Sequence, residues 1–150
     1  MILLAAGVVF AQIPTQSSSP ENYSGMYSFR QEGEFVQITI EDAGHVTGFI
    51  SRYGDGESDR GVFLNQFFKQ GSFDGKKLNF TTQTVHGVWY EFRGTIERAP
   101  DKAAGAEGYH VVKGTLTENR ADKDNKNTTK STEVMFRSFP QEAQTPSHPD

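Results

Sequence analysis

Four histidines and one loop of carboxylates are the side chains here with the most chemistry in them. His86 stands in a turn before Gly87, His45 opens an apolar run, and His148 lies near the C-terminal end. Only His110, at the head of a strand-like segment, is placed to reach an interior, where an imidazole can act as base or ligand. A histidine that merely satisfies its hydrogen bonds explains the same position. Acid–base work would also need a polar partner, a glutamate or Arg93. The loop Gly54-Asp55-Gly56-Glu57-Ser58-Asp59 gathers carboxylates among glycines. It lacks the ligand spacing of an EF-hand calcium loop and reads as an exposed acidic turn, placed to cover one mouth of a barrel. Neither HExxH, G-x-S-x-G nor a Gly-rich phosphate loop occurs. Cysteine is absent, which excludes disulfides, thiolate metal sites and a Cys nucleophile. The expectation is therefore no catalytic residue, no metal and no cofactor.

The elements that would position such residues are strands. The chain has 150 residues, enough for one domain. Its net charge of −4 gives no electrostatic reason to expect nucleic acid as partner. Hydrophobic residues make up 35%, but aromatics reach 12%, with 12 Phe. The core is expected to be built of rings rather than leucines. Met1–Ala11 is apolar and uncharged, too short to span a bilayer, and ends in a small-x-small pattern. It reads as a signal peptide with a clipped n-region, which implies a secreted or periplasmic protein; a buried N-terminal strand is the other reading. Residues 12–22 read as a flexible linker, 23–139 as the folded domain and 140–150 as a disordered tail.

Short runs of β-branched and aromatic residues divide 23–139 into eight strands: 24–30, 34–41, 45–53, 62–73, 77–85, 88–98, 109–118 and 132–139. Asp42-Ala43-Gly44 suits a three-residue hairpin loop with Gly left-handed, which sets Val36 opposite Ile50 and Ile40 opposite Val46. Asp74-Gly75 predicts a type I′ turn, and His86-Gly87 a weaker one. Residues 62–73 are apolar at both parities, which predicts a bulge or cover on both sides. Residues 119–130, Asn119 to Lys130, read as a charged, solvated loop.

Eight sequential antiparallel strands on short turns close into an up-and-down barrel, or stack as a two-sheet sandwich. The short connections favour the barrel, with an interior for side chains or one small ligand. Gly25-Met26-Tyr27 on the first strand resembles the Gly-x-Trp signature of the calycins, the lipocalin and avidin-like eight-stranded barrels, with Tyr in place of Trp. The resemblance implies a basic residue of the last strand packed over that ring, and Arg137 is similarly placed. It also implies a secreted binder of small, largely apolar molecules.

Tyr27, Phe29, Phe80, Tyr90 and Phe92 share inward parity and, with His110, form the expected ligand-binding set. The same rings would also serve as a filled core. Trp89 has the opposite parity and is expected to point outward. The function expected is a non-catalytic exported binder of a small hydrophobic or amphipathic molecule. The alternative partner is a protein, for example a protease whose cleft takes residues 12–22 as an arm. An outer-membrane barrel is excluded by outward faces as polar as Glu91-Arg93-Thr95.

Overall fold

The computed structural model describes residues 21–141. The expected signal peptide, the linker up to residue 20 and the tail from residue 142 lie outside that range.

Alternating sequence makes the strands, and Gly, Asp and Asn make the turns. The strands are β1 (Gly25–Ser28), β2 (Phe35–Ile40), β3 (Val46–Tyr53), β4 (Phe63–Phe73), β5 (Lys77–Thr82), β6 (Val88–Arg98), β7 (His110–Ala121) and β8 (Asn127–Arg137). They form one antiparallel sheet in sequence order, so the sandwich is excluded. The β2–β3 register pairs Val36 with Ile50 and Ile40 with Val46, as the hairpin loop requires. Both Ala43 and Gly44 take positive φ there. β4 carries its bulge between Phe68 and Gln70.

Two turns differ from expectation. At Asp74-Gly75 only Gly75 has positive φ, and the loop includes Lys76. The Asp74 carboxylate accepts the amides of Lys76 and Lys77 at 3.0 and 2.7 Å, so the side chain closes the turn that a type I′ backbone would have closed. The expected loop at Asn119–Lys130 is mostly strand. β7 and β8 run on as a ribbon to a turn at Asp122–Lys126, with Asn125 left-handed. Cross-strand pairs such as Thr117–Ser131 and Asn119–Thr129, both 2.9 Å, hold it without an apolar face.

Sharp coiling brings backbones into contact where β6 crosses β7. Gly94 pairs with Gly114, and a Cβ on Gly94 would stand 2.0 Å from the Lys113 carbonyl oxygen and 2.8 Å from Gly114 Cα. Only glycine fits both positions.

The curled sheet returns β8 to β1, but the edges meet narrowly. Tyr27 bridges Ser138, the Phe139 amide donates to the Met26 carbonyl at 2.8 Å, and the Arg137 amide donates to Ser28 Oγ at 3.0 Å. Beyond that seam, the half of β8 from Asn127 to Glu133 is an exposed edge. The expected closed cylinder is thus a strongly curled half-barrel with one open flank. Arg137 does not cover Tyr27. It is exposed, and its stem lies along Gly108.

The interior is a stack of rings. Phe68 lies on Phe80 at 4.2 Å, Phe80 on Phe92 at 5.2 Å, and Phe92, Phe136 and Phe29 continue the series at 6.2 and 5.2 Å. The strands place these on one face with Val36, Ile38, Ile50, Leu78 and Val112, all fully buried.

Candidate functional site: an amphipathic cavity at the open flank

The inward parity of β7 runs Val112, Gly114, Leu116 and then continues into Glu118 and Arg120. Opposite them β8 presents Phe136, Val134, Thr132 and Lys130. The same concave wall therefore changes from apolar to ionic as the ribbon leaves the barrel. Phe29 and Arg30 after β1, and Asp55 after β3, face it across the unpaired flank. Together these residues enclose a cavity of about 580 Å³ with an apolar floor (Phe29, Leu116, Val134, Phe136) and a charged rim.

An ion-pair chain holds the rim. Arg30 Nη1 donates to Glu118 Oε2 at 2.6 Å, Arg120 Nε donates to Glu118 Oε1 at 2.6 Å, and Arg120 also clasps Asp55. The Arg30 guanidinium lies 5.1 Å from the Phe29 ring centre and 5.2 Å from that of Tyr90. Tyr90 donates its hydroxyl to Glu118 Oε2 at 3.2 Å. Burial pushes Tyr90 up to about 12, with the charges of Arg30 and Arg52 working against it. It stays a neutral donor at ordinary pH.

Behind the rim is a guanidinium with no exposed surface. Arg52 continues the inward parity of Val46, Gly48 and Ile50 on β3. Its Nε donates to Gln66 Oε1 at 3.0 Å and its Nη1 to the Tyr53 carbonyl at 3.3 Å, while Nη2 has no hydrogen-bond partner among the described residues. Gln66 is itself fully buried and donates to Thr82 Oγ1, the Gln83 carbonyl and the Val88 carbonyl. Glu34, the residue before β2, is buried nearby. Its Oε1 accepts from Gln31 and from the Tyr53 amide, and its Oε2 lies 4.0 Å from Arg30 Nε without a hydrogen bond. The 54–59 loop is anchored rather than freely exposed. Asp59 is buried, accepts the Gly56 amide at 2.7 Å and pairs with His86 Nδ1 at 2.7 Å.

Sequence reasoning placed six side chains at the expected site, and the structure separates them. Phe29 lines the cavity and Tyr90 stands directly behind it. Phe80 and Phe92 lie in the filled centre of the ring stack. Tyr27 and His110 sit at the other end of β7, beside a second cavity of about 600 Å³. There Tyr27 donates to the Tyr23 carbonyl at 2.6 Å, and His110 Nε2 meets Glu21 Oε1 at 2.9 Å under the Tyr23 ring. Arg93 points outward from β6 and does not join His110. Trp89 is half-buried on the outer face. Sequence reasoning did not name Arg30, Glu34, Arg52, Gln66, Glu118 or Arg120. Extending the inward parity two residues past Ile50 and Leu116 would have found Arg52 and Glu118, and two more would have found Arg120.

The rim predicts a pH dependence. Burial alone would raise Glu118, but the hydrogen bond and charge of Arg120, with the charge of Arg30, hold it below 4.5. Asp55 is held below 3.8, chiefly by its hydrogen bonds to Arg120. Both carboxyls titrate lower folded than unfolded. Their stabilisation is complete above the unfolded values and disappears as pH falls through the folded ones. The urea midpoint should therefore fall between about pH 5 and pH 2. Arg120→Met should flatten that fall, and an equal slope in both proteins would show that the rim adds nothing to stability.

The fold has counterparts among solved structures. The chain is similar to rhizavidin, with TM-score 0.60 and 11% identity over 84% of this chain and 89% of that one. It is similar to rhizavidin in its biotin complex, at 0.58 and 11% over 77% and 99%. It is also similar to apo short afifavidin, at 0.54 and 15% over 77% and 95%. No protein-family profile and no curated protein matches the sequence. The architecture is that of the avidin-like, calycin-type barrels.

Proposed function

We propose that this avidin-like barrel is an exported, non-catalytic protein that holds a small amphipathic molecule in the open-flank cavity. One observation carries the reading: a cavity of about 580 Å³ whose floor is the barrel's own apolar interior and whose rim is ionic. That volume lies within the range of small-ligand sites, about 300–1,000 Å³. The floor accepts an apolar body, and Arg30, Arg120 and Lys130 face a polar head. A purely apolar ligand would cover the rim's ion-paired groups and offer them no polar contact in place of water. Rhizavidin is solved with biotin, and this supports a small molecule of mixed polarity here. The apolar Met1–Ala11 supports export.

Calorimetric titration with octanoate and with biotin, and fluorescence titration with anilinonaphthalene sulfonate, test the proposal. At least one probe should bind at a single site. Val134→Trp, at a half-buried position on the cavity floor, should weaken that binding by about tenfold or more, because indole fills the space an apolar body needs. Absence of binding by all three probes, or unchanged binding to Val134→Trp, would overturn it.

A further inference from the structure

The stretch of β8 from Asn127 to Glu133 ends the sheet, and all of its residues are exposed. Folded proteins ordinarily blunt such an edge by keeping it short, by proline, by a bulge or by a covering element. Among the described residues this edge has none of these. It runs for about 20 Å. It contains no proline, and its register with β7 continues without a shift from Ala121–Asn127 to Val111–Arg137. Its outward side chains turn back onto β7 instead of folding over the edge. Thr129 donates to Asn119 Oδ1 at 2.9 Å, Ser131 meets Thr117 at 2.9 Å, and Glu133 accepts from Thr115 at 2.5 Å. A row of backbone amides and carbonyls is left facing water along the flank.

We infer that this edge takes an extended peptide segment of another protein as an added strand, with an acidic side chain facing Lys130 and an apolar one facing Thr132. In strand addition the backbone ladder supplies affinity, and alternate side chains supply selectivity. The inward row of the edge is Thr128, Lys130 and Thr132, and it leads to the half-buried Val134 on the cavity floor. An apolar side chain facing Thr132 lies toward that floor. Charge complementarity fixes the other position. Arg30 and Arg120 are committed to Glu118 and Asp55, whereas Lys130 has no carboxylate within 4.0 Å among the described residues. An incoming carboxylate gives Lys130 the cross-strand partner it lacks. A second copy of the chain fits less well. The antiparallel register that uses the whole stretch is centred on Lys130, so a two-fold mate would set one ammonium against the other. The inference stands on the edge's backbone and does not rest on the cavity being filled.

A fluorescein-labelled peptide, Thr-Val-Thr-Glu-Thr-Val-Thr, tests the inference by anisotropy and amide hydrogen exchange on the full chain. Its sequence reads the same in both directions, so either strand orientation presents glutamate to Lys130. It should bind the wild type and slow exchange at 127–133. Lys130→Glu, at an exposed position, should weaken it by about fivefold or more, because an attractive cross-strand pair becomes a repulsive one. The same peptide with lysine at its centre should show the reverse preference for the two proteins. Methylating the peptide's internal amide nitrogens should abolish binding, since the ladder loses its donors. Failure of the peptide to bind, equal binding by the methylated form, or indifference to Lys130→Glu would each overturn the inference. Protection of 127–133 before peptide is added would also overturn it. If that protection rises with protein concentration, a second copy occupies the edge; if it does not, the chain's own terminal residues do.

Discussion

Phe92→Ala should lower the free energy of unfolding by about 3–5 kcal/mol. Phe92 is 1% exposed and sits between Phe80 and Phe136 in the ring stack. Its neighbours cannot close over the space. The backbone beside it is already at contact, since a Cβ on Gly94 would stand 2.6 Å from Phe92 Cζ. The lost ring therefore leaves a cavity rather than a collapse, which places the cost high in the usual range. That cavity is apolar and should stay dry, so benzene should bind it and recover part of the lost stability. Urea unfolding with and without benzene measures both effects. A loss under about 1 kcal/mol would show that the stack is loosely packed rather than close-packed.

The second large effect concerns the buried guanidinium. Gln66→Leu should cost about 3 kcal/mol. The new side chain has nearly the old volume, so packing is not the cause. The Val88 carbonyl keeps a donor in the Val85 amide and Gln83 is exposed to water, so the backbone is not the main loss either. What is lost is the acceptor at Arg52 Nε, in a charged group that, among the described residues, has no carboxylate within ion-pair distance and already has one unpartnered amine. Arg52→Met alone should cost less, since the group it leaves unpaired, Gln66 Oε1, is neutral. The double variant should recover most of the Gln66→Leu loss, because no buried guanidinium then remains to lack an acceptor. Denaturant unfolding of the three variants forms the cycle. Additive losses would mean that the two side chains do not depend on each other.

The fold was legible in the sequence wherever one strand face is apolar and the turn residues are specific. The β2–β3 register follows from four aliphatic positions and Asp42-Ala43-Gly44, because slipping one residue would turn every one of them outward. The β7–β8 ribbon was not legible, since both its faces are polar and hydrophilic composition looks the same in a loop and in an exposed ladder. The site divides along the same line. Phe29 and Tyr90 were readable from parity. Arg52, Glu118 and Arg120 share that parity, but a charged residue is ordinarily solvated, and alternation alone does not tell where a strand's inner face stops being covered. The expected Arg137–Tyr27 packing failed because β8 meets β1 only at the seam, with Arg137 on the outer side of it.

The free edge of β8 has a kinetic consequence. From Asn127 to Glu133 every residue is exposed, and among the described residues this stretch pairs on one side only, with β7. Yet Lys130 and Thr132 form part of the cavity wall. That wall can fray without disturbing the aromatic stack, so its amides should exchange with solvent long before those of β2 or β6. A molecule held there as proposed would come and go through a breach far less costly than global unfolding. Residence time and thermal endurance become separately adjustable properties of one small chain.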